Sequence, residues 1–290
     1  TPLDNLKFLS ENNSSKLLCA VGNEQLKELI IIWSIENLND IKIYLRQNVT
    51  NSINVMKFIP YSENMLISCG NENIKFFRVK NNKLFGKAVV LNQYAKNNKF
   101  LCIGFNKTLF GNDYNDRGKV FIGSSSGCVF QISCLSKELE SVYKIQDSAI
   151  LSLSINEIFC ATGSEDGYTR IWPVDFSEFI MEAKHDSGVC SVDIAYDSVE
   201  ILCGTLGGSM GILNTKKKGY KTILRSTSND IIKLVIHPSN NFLFTIETGG
   251  VVRIWDILLR TEIFEFISSQ DPPICIAAPL ELFCVSGYSS

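Results

Sequence analysis

No run of about 18 apolar residues occurs in this chain, so no helix long and apolar enough to cross a membrane is expected. Sustained helical periodicity is also missing, and with it the sign of a helical bundle or a helix-flanked sheet. Histidine occurs only twice, at His185 and His237, and no cluster of residues is spaced to hold a metal. There is no C-x-x-C pair among the ten cysteines. A basic excess is absent too: 28 Lys and Arg against 30 Asp and Glu leave a net charge of −2, unlike the balance of a general nucleic-acid binder. The start, Thr1-Pro2-Leu3-Asp4, has no Met, no basic stretch and no apolar h-region. It does not read as a signal peptide, and the chain is expected to belong to something longer.

What is present is strand after strand. Apolar residues make up 45% of the 290 positions, enough for a sizeable core. Short alternating runs separated by turn formers extend from end to end, which predicts an all-β chain. Five cysteines, Cys19, Cys69, Cys160, Cys203 and Cys284, fall inside apolar strands that end near Gly, Thr or Ser. They read as small buried hydrophobes with free thiols, in a reducing compartment.

The clearest stretch is Ala161-Thr-Gly-Ser-Glu-Asp-Gly-Tyr-Thr-Arg-Ile-Trp-Pro-Val-Asp175. It predicts a strand, a turn at Glu165-Asp166-Gly167 and a second strand. There Tyr168, Arg170 and Trp172 point one way and Thr169, Ile171 and Pro173 the other. Worn copies recur. The position of Trp172 matches Trp33, Phe77, Ile132, Leu213 and Trp255, at successive gaps of 44, 55, 40, 41 and 42 residues. A period of about 40–45 residues is that of a four-stranded propeller blade. The one long gap has room for its excess in the polar stretches 92–99 and 106–116. A four-stranded sheet cannot bury both faces alone, and stacking copies around an axis solves this. The expected architecture is one propeller over 1–290, with blades at 1–50, 51–95, 96–146, 147–187, 188–227 and 228–269 and part of another at 270–290. It is read as a seven-bladed ring with the seventh blade incomplete.

Gly163-Ser-Glu-Asp-Gly-Tyr-Thr-Arg-Ile-Trp172 and Gly249-Gly-Val-Val-Arg-Ile-Trp-Asp256 resemble WD40 repeats. That family's blades often carry a hydrogen-bonded set of Trp, Ser or Thr, His and Asp, which satisfies a buried indole N–H. The resemblance gives Trp33, Thr162, Trp172 and Trp255 structural roles. No unit keeps the full set. The fourth has Trp172, Asp166 and either Thr162 or Ser164, but Gln146-Asp147 where Gly-His is common. The fifth has His185 but Gly207-Gly208 and Leu213, and the sixth has Trp255 without an acidic turn residue or His. Trp172-Pro-Val-Asp-Phe-Ser177, Glu182-Ala-Lys-His185, Val189–Gly204 and Ile263–Ser290 are similar to a family of large, multi-propeller WD-repeat proteins of centrioles and basal bodies. In that family a separate module binds microtubules and the propellers help to build the inner scaffold. The resemblance implies a non-catalytic, protein-binding scaffold at the centriole, basal body or cilium, in the cytoplasm and cytoskeleton. Its partners would be tubulin or centriolar scaffold proteins, with no nucleic acid, membrane, cofactor or small-molecule substrate. The alternative is a general cytoplasmic or nuclear WD40 adaptor, such as a ligase substrate receptor or an RNA-processing subunit.

Gly123-Ser-Ser-Ser-Gly127 fits the G-x-S-x-G pattern, but a strand follows where a nucleophile elbow needs a helix. Gly204–Gly211 is glycine-rich, yet it flanks a strand turn and not the helix start that a phosphate loop uses. His237 precedes Pro238 in a turn read as surface. Two basic turns, Lys216-Lys217-Lys218 and Lys80-Asn-Asn-Lys83, fall between third and fourth strands, so they share a face suited to an acidic partner. The opposite face gathers Glu72, Asp147, Glu165, Asp166, His185, Asp230 and Glu247, with Tyr168 and Arg170 as candidate anchors. The candidate protein-binding residues are thus Glu165, Asp166, Tyr168, Arg170, His185, Asp230, Glu247, Lys216, Lys217 and Lys218.

Overall fold

The computed structural model describes residues 4–11, 16–24, 27–35, 41–60, 62–105, 118–225, 230–237, 241–259, 261–267, 273–277 and 285–288. Strands dominate, and the one helical element among the described residues is a single 3-10 turn at Asn92–Tyr94. Blade 1 is β1 (Asp4–Glu11), β2 (Leu17–Glu24), β3 (Lys27–Ser34) and β4 (Lys42–Val49). Blade 2 is β5 (Val55–Phe58), β6 (Met65–Cys69), β7 (Ile74–Lys80) and β8 (Lys83–Ala88). Blade 3 is β9 (Phe100–Phe105), β10 (Lys119–Ser124), β11 (Cys128–Ser133) and β12 (Leu139–Lys144). Blade 4 is β13 (Ile150–Ile155), β14 (Phe159–Ser164), β15 (Tyr168–Pro173) and β16 (Met181–Lys184). Blade 5 is β17 (Val189–Ile194), β18 (Glu200–Thr205), β19 (Ser209–Asn214) and β20 (Gly219–Arg225). Blade 6 is β21 (Ile231–Ile236), β22 (Phe242–Glu247), β23 (Val251–Asp256) and β24 (Thr261–Ile267). Each blade is an antiparallel meander with its strands in chain order.

Among the described residues, the expected seventh blade is corrected to six four-stranded blades and one two-stranded sheet, β25 (Pro273–Ala277) with β26 (Val285–Tyr288). Two strands do not make a blade, yet they hold a place in the ring. The first strands of successive sheets lie side by side, from β1 through β5, β9, β13, β17 and β21 to β25, which returns to β1.

Turn chemistry fixes the register. Gly127, Gly167, Gly208 and Gly250 occupy the same place in the turns between second and third strands, at φ of 72, 82, 78 and 80°. Glycine adopts this left-handed region without a Cβ clash. Between β7 and β8, Asn81 and Asn82 take φ of 51 and 57°, the pair of positive values that a two-residue hairpin needs. The glycine-rich stretch 204–211 is such a turn, between β18 and β19. The long gap in the repeat contains the 3-10 turn, while residues 106–117 lie outside the described residues.

The core lies between blades. Cys102, Phe121 and Val129 of blade 3 pack with Ile150, Leu153, Cys160, Trp172 and Phe176 of blade 4. Cys19, Cys69, Cys160 and Cys203 are fully buried and unpaired, as small apolar groups would be. Burial pushes the Cys102 and Cys203 thiols up to about 12. Cys284 lies outside the described residues.

The residues matching Trp172 hold equivalent pairings. Trp33, Phe77, Ile132, Trp172, Leu213 and Trp255 face Leu18, Leu66, Val120, Cys160, Ile201 and Leu243 across the sheet. Two residues further along the second strand stand Ala20, Ser68, Ile122, Thr162, Cys203 and Thr245. The Trp172 indole donates to Thr162 Oγ1 at 2.9 Å and the Trp255 indole to Thr245 Oγ1 at 3.0 Å. This settles Thr162, and not Ser164, as the acceptor. Ile132 with Ile122 and Leu213 with Cys203 are matched apolar versions. Phe77 with Ser68 is mismatched, a hydroxyl facing a ring that has no donor.

Candidate functional site

The best-formed surface constellation lies on blade 4, at the turn from β14 to β15. Asp166 Oδ1 accepts from the Tyr168 amide at 3.0 Å and so caps its own turn. Its Oδ2 meets the Arg170 guanidinium at 2.9 Å. Burial alone would raise the Asp166 carboxyl, but hydrogen bonds from Ser164, the Tyr168 amide and Arg170 outweigh it and hold the value below the usual range. Arg170 also reaches Glu182 Oε2 at 3.2 Å and Gln146 Oε1 at 3.3 Å. Its guanidinium stacks 4.6 Å from the Tyr168 ring centre, with Lys184 at 5.7 Å. Glu165 is exposed beside them. The structure therefore brings together four of the expected residues, Glu165, Asp166, Tyr168 and Arg170. Sequence reading missed Gln146 as a partner. Its Nε2 donates to Ser164 Oγ at 2.7 Å, so the Gln146-Asp147 pair that replaces Gly-His still ties its connection to the neighbouring strand.

Two expected surface residues are corrected to packing roles. Glu247 is 1% exposed and pairs with Arg253, which also meets Glu262 and Glu265 on β24. His185 is buried, with Nε2 2.9 Å from Thr169 Oγ1 and Nδ1 2.9 Å from Tyr220 OH. It thereby links blade 4 to the last strand of blade 5. His237 is likewise corrected from a surface turn to a buried position, with ring contacts to Phe242 and Phe244. Asp230 is exposed, and its amide donates to Thr248 Oγ1 at 3.0 Å.

Burial lowers His185 to about 4, although Asp186 pulls it upward. The folded value lies below the unfolded one of about 6.5, so the unfolded chain takes up the proton first. Stability held above pH 6.5 should fall as the pH drops toward 4. Denaturant titrations of wild type and His185→Gln should show a steeper acid-side loss for wild type in that window. Parallel curves would contradict the assignment.

On the other face, Lys216, Lys217 and Lys218 are exposed. Asn214 Oδ1 accepts from the Lys217 amide at 2.8 Å and Lys218 takes φ of 48°, which sets the turn. Lys80 and Lys83 flank the corresponding turn of blade 2. Lys137, in the corresponding turn of blade 3, adds a lysine from a third turn that sequence reading missed. Along the axis runs a cavity of about 310 Å³ lined in part by Lys57, Asp193 and Lys233. Lys57 Nζ donates to the Ile103 carbonyl at 2.8 Å and Asp193 accepts from Ser154 Oγ at 2.9 Å. Among the described residues no group of three or more His, Cys, Asp or Glu could hold a metal ion. Ser125, of the G-x-S-x-G pattern, sits between β10 and β11, where its Oγ accepts from the Lys99 amide at 3.0 Å.

The family model for the WD domain, G-beta repeat, matches residues 137–173, ending on the third strand of blade 4. The chain is a β-propeller that carries a WD40 repeat. The chain is similar along its whole length to WD repeat-containing protein 90 of Xenopus tropicalis, at 26% identity over 314 residues. It spans 17% of that relative's length. Over 73% of the propeller it is 27% identical to Centriole proteome protein 16 of Chlamydomonas reinhardtii, covering 11% of that protein. Over 85% it is 21% identical to Echinoderm microtubule-associated protein-like 2 of Rattus norvegicus, covering 36% of it.

Proposed function

We propose that this propeller is a non-catalytic docking module of a centriolar or basal-body scaffold protein. The observation that carries the reading is the likeness, over all or most of the chain, to two proteins. One bears a WD-repeat name and the other a centriole-proteome name. The site geometry supports it, because the polar side chains most suggestive of chemistry are engaged in packing. His185 and Glu247 are buried in blade-to-blade and strand-to-strand contacts. Glu165, Asp166, Tyr168 and Arg170 instead form a pre-ordered surface with an aromatic and an arginine, the residue types that anchor protein contacts. Fold alone would not license this, since propellers serve many roles.

The test is to tag the full-length protein that contains this chain and image dividing cells. A focus at centrioles or basal bodies is expected, and a diffuse signal would overturn the reading in favour of a general adaptor. The basic face gives a second expectation, an acidic partner such as a tubulin tail, in keeping with the microtubule-associated relative. In microtubule co-sedimentation, changing Lys216, Lys217 and Lys218 together to Glu should weaken binding by about ten-fold or more and flatten its salt dependence. Unchanged binding would remove tubulin from the proposal.

A further inference from the structure

The mismatch in blade 2 opens a polar cavity. About 210 Å³ lies beside the connection from blade 1 to blade 2, lined by Asn48, Thr50, Asn51, Ser68, Asn73 and Lys75, with Ile53 and Phe77 as its apolar wall. Ser68 stands across from Lys75 as Thr162 stands across from Arg170. Phe77 occupies the tryptophan place without an indole to donate. Ser68 Oγ, on a fully buried residue, has no hydrogen-bond partner, and neither does the buried Asn73 Oδ1. A buried polar atom left unpaired carries the cost of its lost hydration, so both atoms favour an occupant.

The donors and acceptors define that occupant. An ammonium has three N–H donors, and Lys75 gives one to Asn51 Oδ1, so it retains donors for an anion. Ser68 offers an O–H beside it. Asn73 spends its Nδ2 on the Ser52 carbonyl at 3.2 Å and the Asn71 carbonyl at 2.7 Å, which leaves Oδ1 as an acceptor. No carboxylate lines the cavity among the described residues, and nearby Glu28 turns Oε1 to the Ile53 amide at 3.4 Å. We propose that this cavity binds a carboxylate that carries a neighbouring N–H donor. The carboxylate accepts from Lys75 and Ser68, and the N–H donates to Asn73 Oδ1. An N-acylated acidic amino acid has this chemistry, and so does an acidic residue within a partner's peptide chain. The inference does not rest on the centriolar reading, since binding of the free ligand needs no partner and no cell.

The test is an amide-shift titration of this chain with N-acetylaspartate, its neutral twin N-acetylasparagine, and a short peptide carrying one aspartate. N-acetylaspartate should shift Ser68, Asn73 and Lys75 at roughly millimolar concentration, with the neutral twin about ten-fold weaker. Tighter binding of the peptide assigns the carboxylate to a partner's side chain, and equal or weaker binding assigns it to a small molecule. Lys75→Met should weaken the response. Phe77→Trp fills the cavity and supplies Ser68 with a donor, so it should abolish binding while raising the melting temperature, which separates loss of the site from loss of the fold. Equal response to both twins, no response, or full response in Phe77→Trp would show a cavity that holds water only.

Discussion

Trp172→Ala should lower the unfolding free energy by roughly 3–5 kcal/mol, the usual range for emptying a buried aromatic site. Trp172 is 4% exposed and belongs to the cluster that joins blades 3 and 4. Phe179 meets its ring edge-on at 5.8 Å. Truncation removes this packing and also leaves Thr162 without the indole donor. Trp172→Phe isolates the second effect, because it keeps an aromatic ring and deletes the N–H. A loss of about 1–2 kcal/mol is expected. Urea unfolding followed by circular dichroism measures both. A loss below about 1 kcal/mol for Trp172→Ala would mean that the blade 3–4 contact does not depend on this residue. Blade 2 already contains the phenylalanine version of this arrangement, with Ser68 left unpartnered.

Gly127→Ala should cost roughly 2–4 kcal/mol, from strain at a disfavoured backbone angle together with displaced packing. Gly127 has φ of 72°, and an added Cβ would lie 2.0 Å from the Gln146 carbonyl oxygen and 2.9 Å from that of Ser148. Both neighbours are backbone, so no flexible side chain can move aside. The contact is also the joint by which the β10–β11 turn holds the connection into blade 4, since the amides of Ile145 and Gln146 both donate to the Gly127 carbonyl at 3.2 Å. Gly219→Ala is the matched control. Its Cβ would meet only the Lys217 carbonyl oxygen, at an ordinary 3.8 Å, so little change is expected. Equal melting temperatures for the two variants would contradict the steric account.

The architecture was legible because its causes are local. Alternation along β5 or β13, turn formers between them and the spacing of the Trp172 position are all written in short windows of sequence. The correction at the seventh place concerns how many strands complete a blade, and the repeat marks positions and not sheet membership. The site was less legible for a different reason. Polar residues at strand ends look exposed in a sequence, but whether they are depends on what the adjoining strand or blade brings. His185 is covered because Tyr220 and Thr169 converge on it. Glu247 is covered because Arg253 pairs with it across the turn, and His237 because Phe242 and Phe244 approach it. Gln146 could have been found by asking which side chain of the pair that replaces Gly-His can still reach Ser164. The unpartnered Ser68 hydroxyl could have been found by setting the second and third strands of each blade in register and looking for a hydroxyl two residues along from the partner of a phenylalanine.

The central claim is that this propeller supplies docking contacts to a centriolar scaffold. The most direct measurement compares cells that express the full-length protein with cells in which residues 1–290 are replaced by an unrelated propeller of similar size. Both proteins are tagged at the same end, and centriolar signal and its retention after photobleaching are quantified. The account predicts that the replacement lowers the retained fraction or abolishes the focus at equal expression. The same focus and the same retention in both would contradict it.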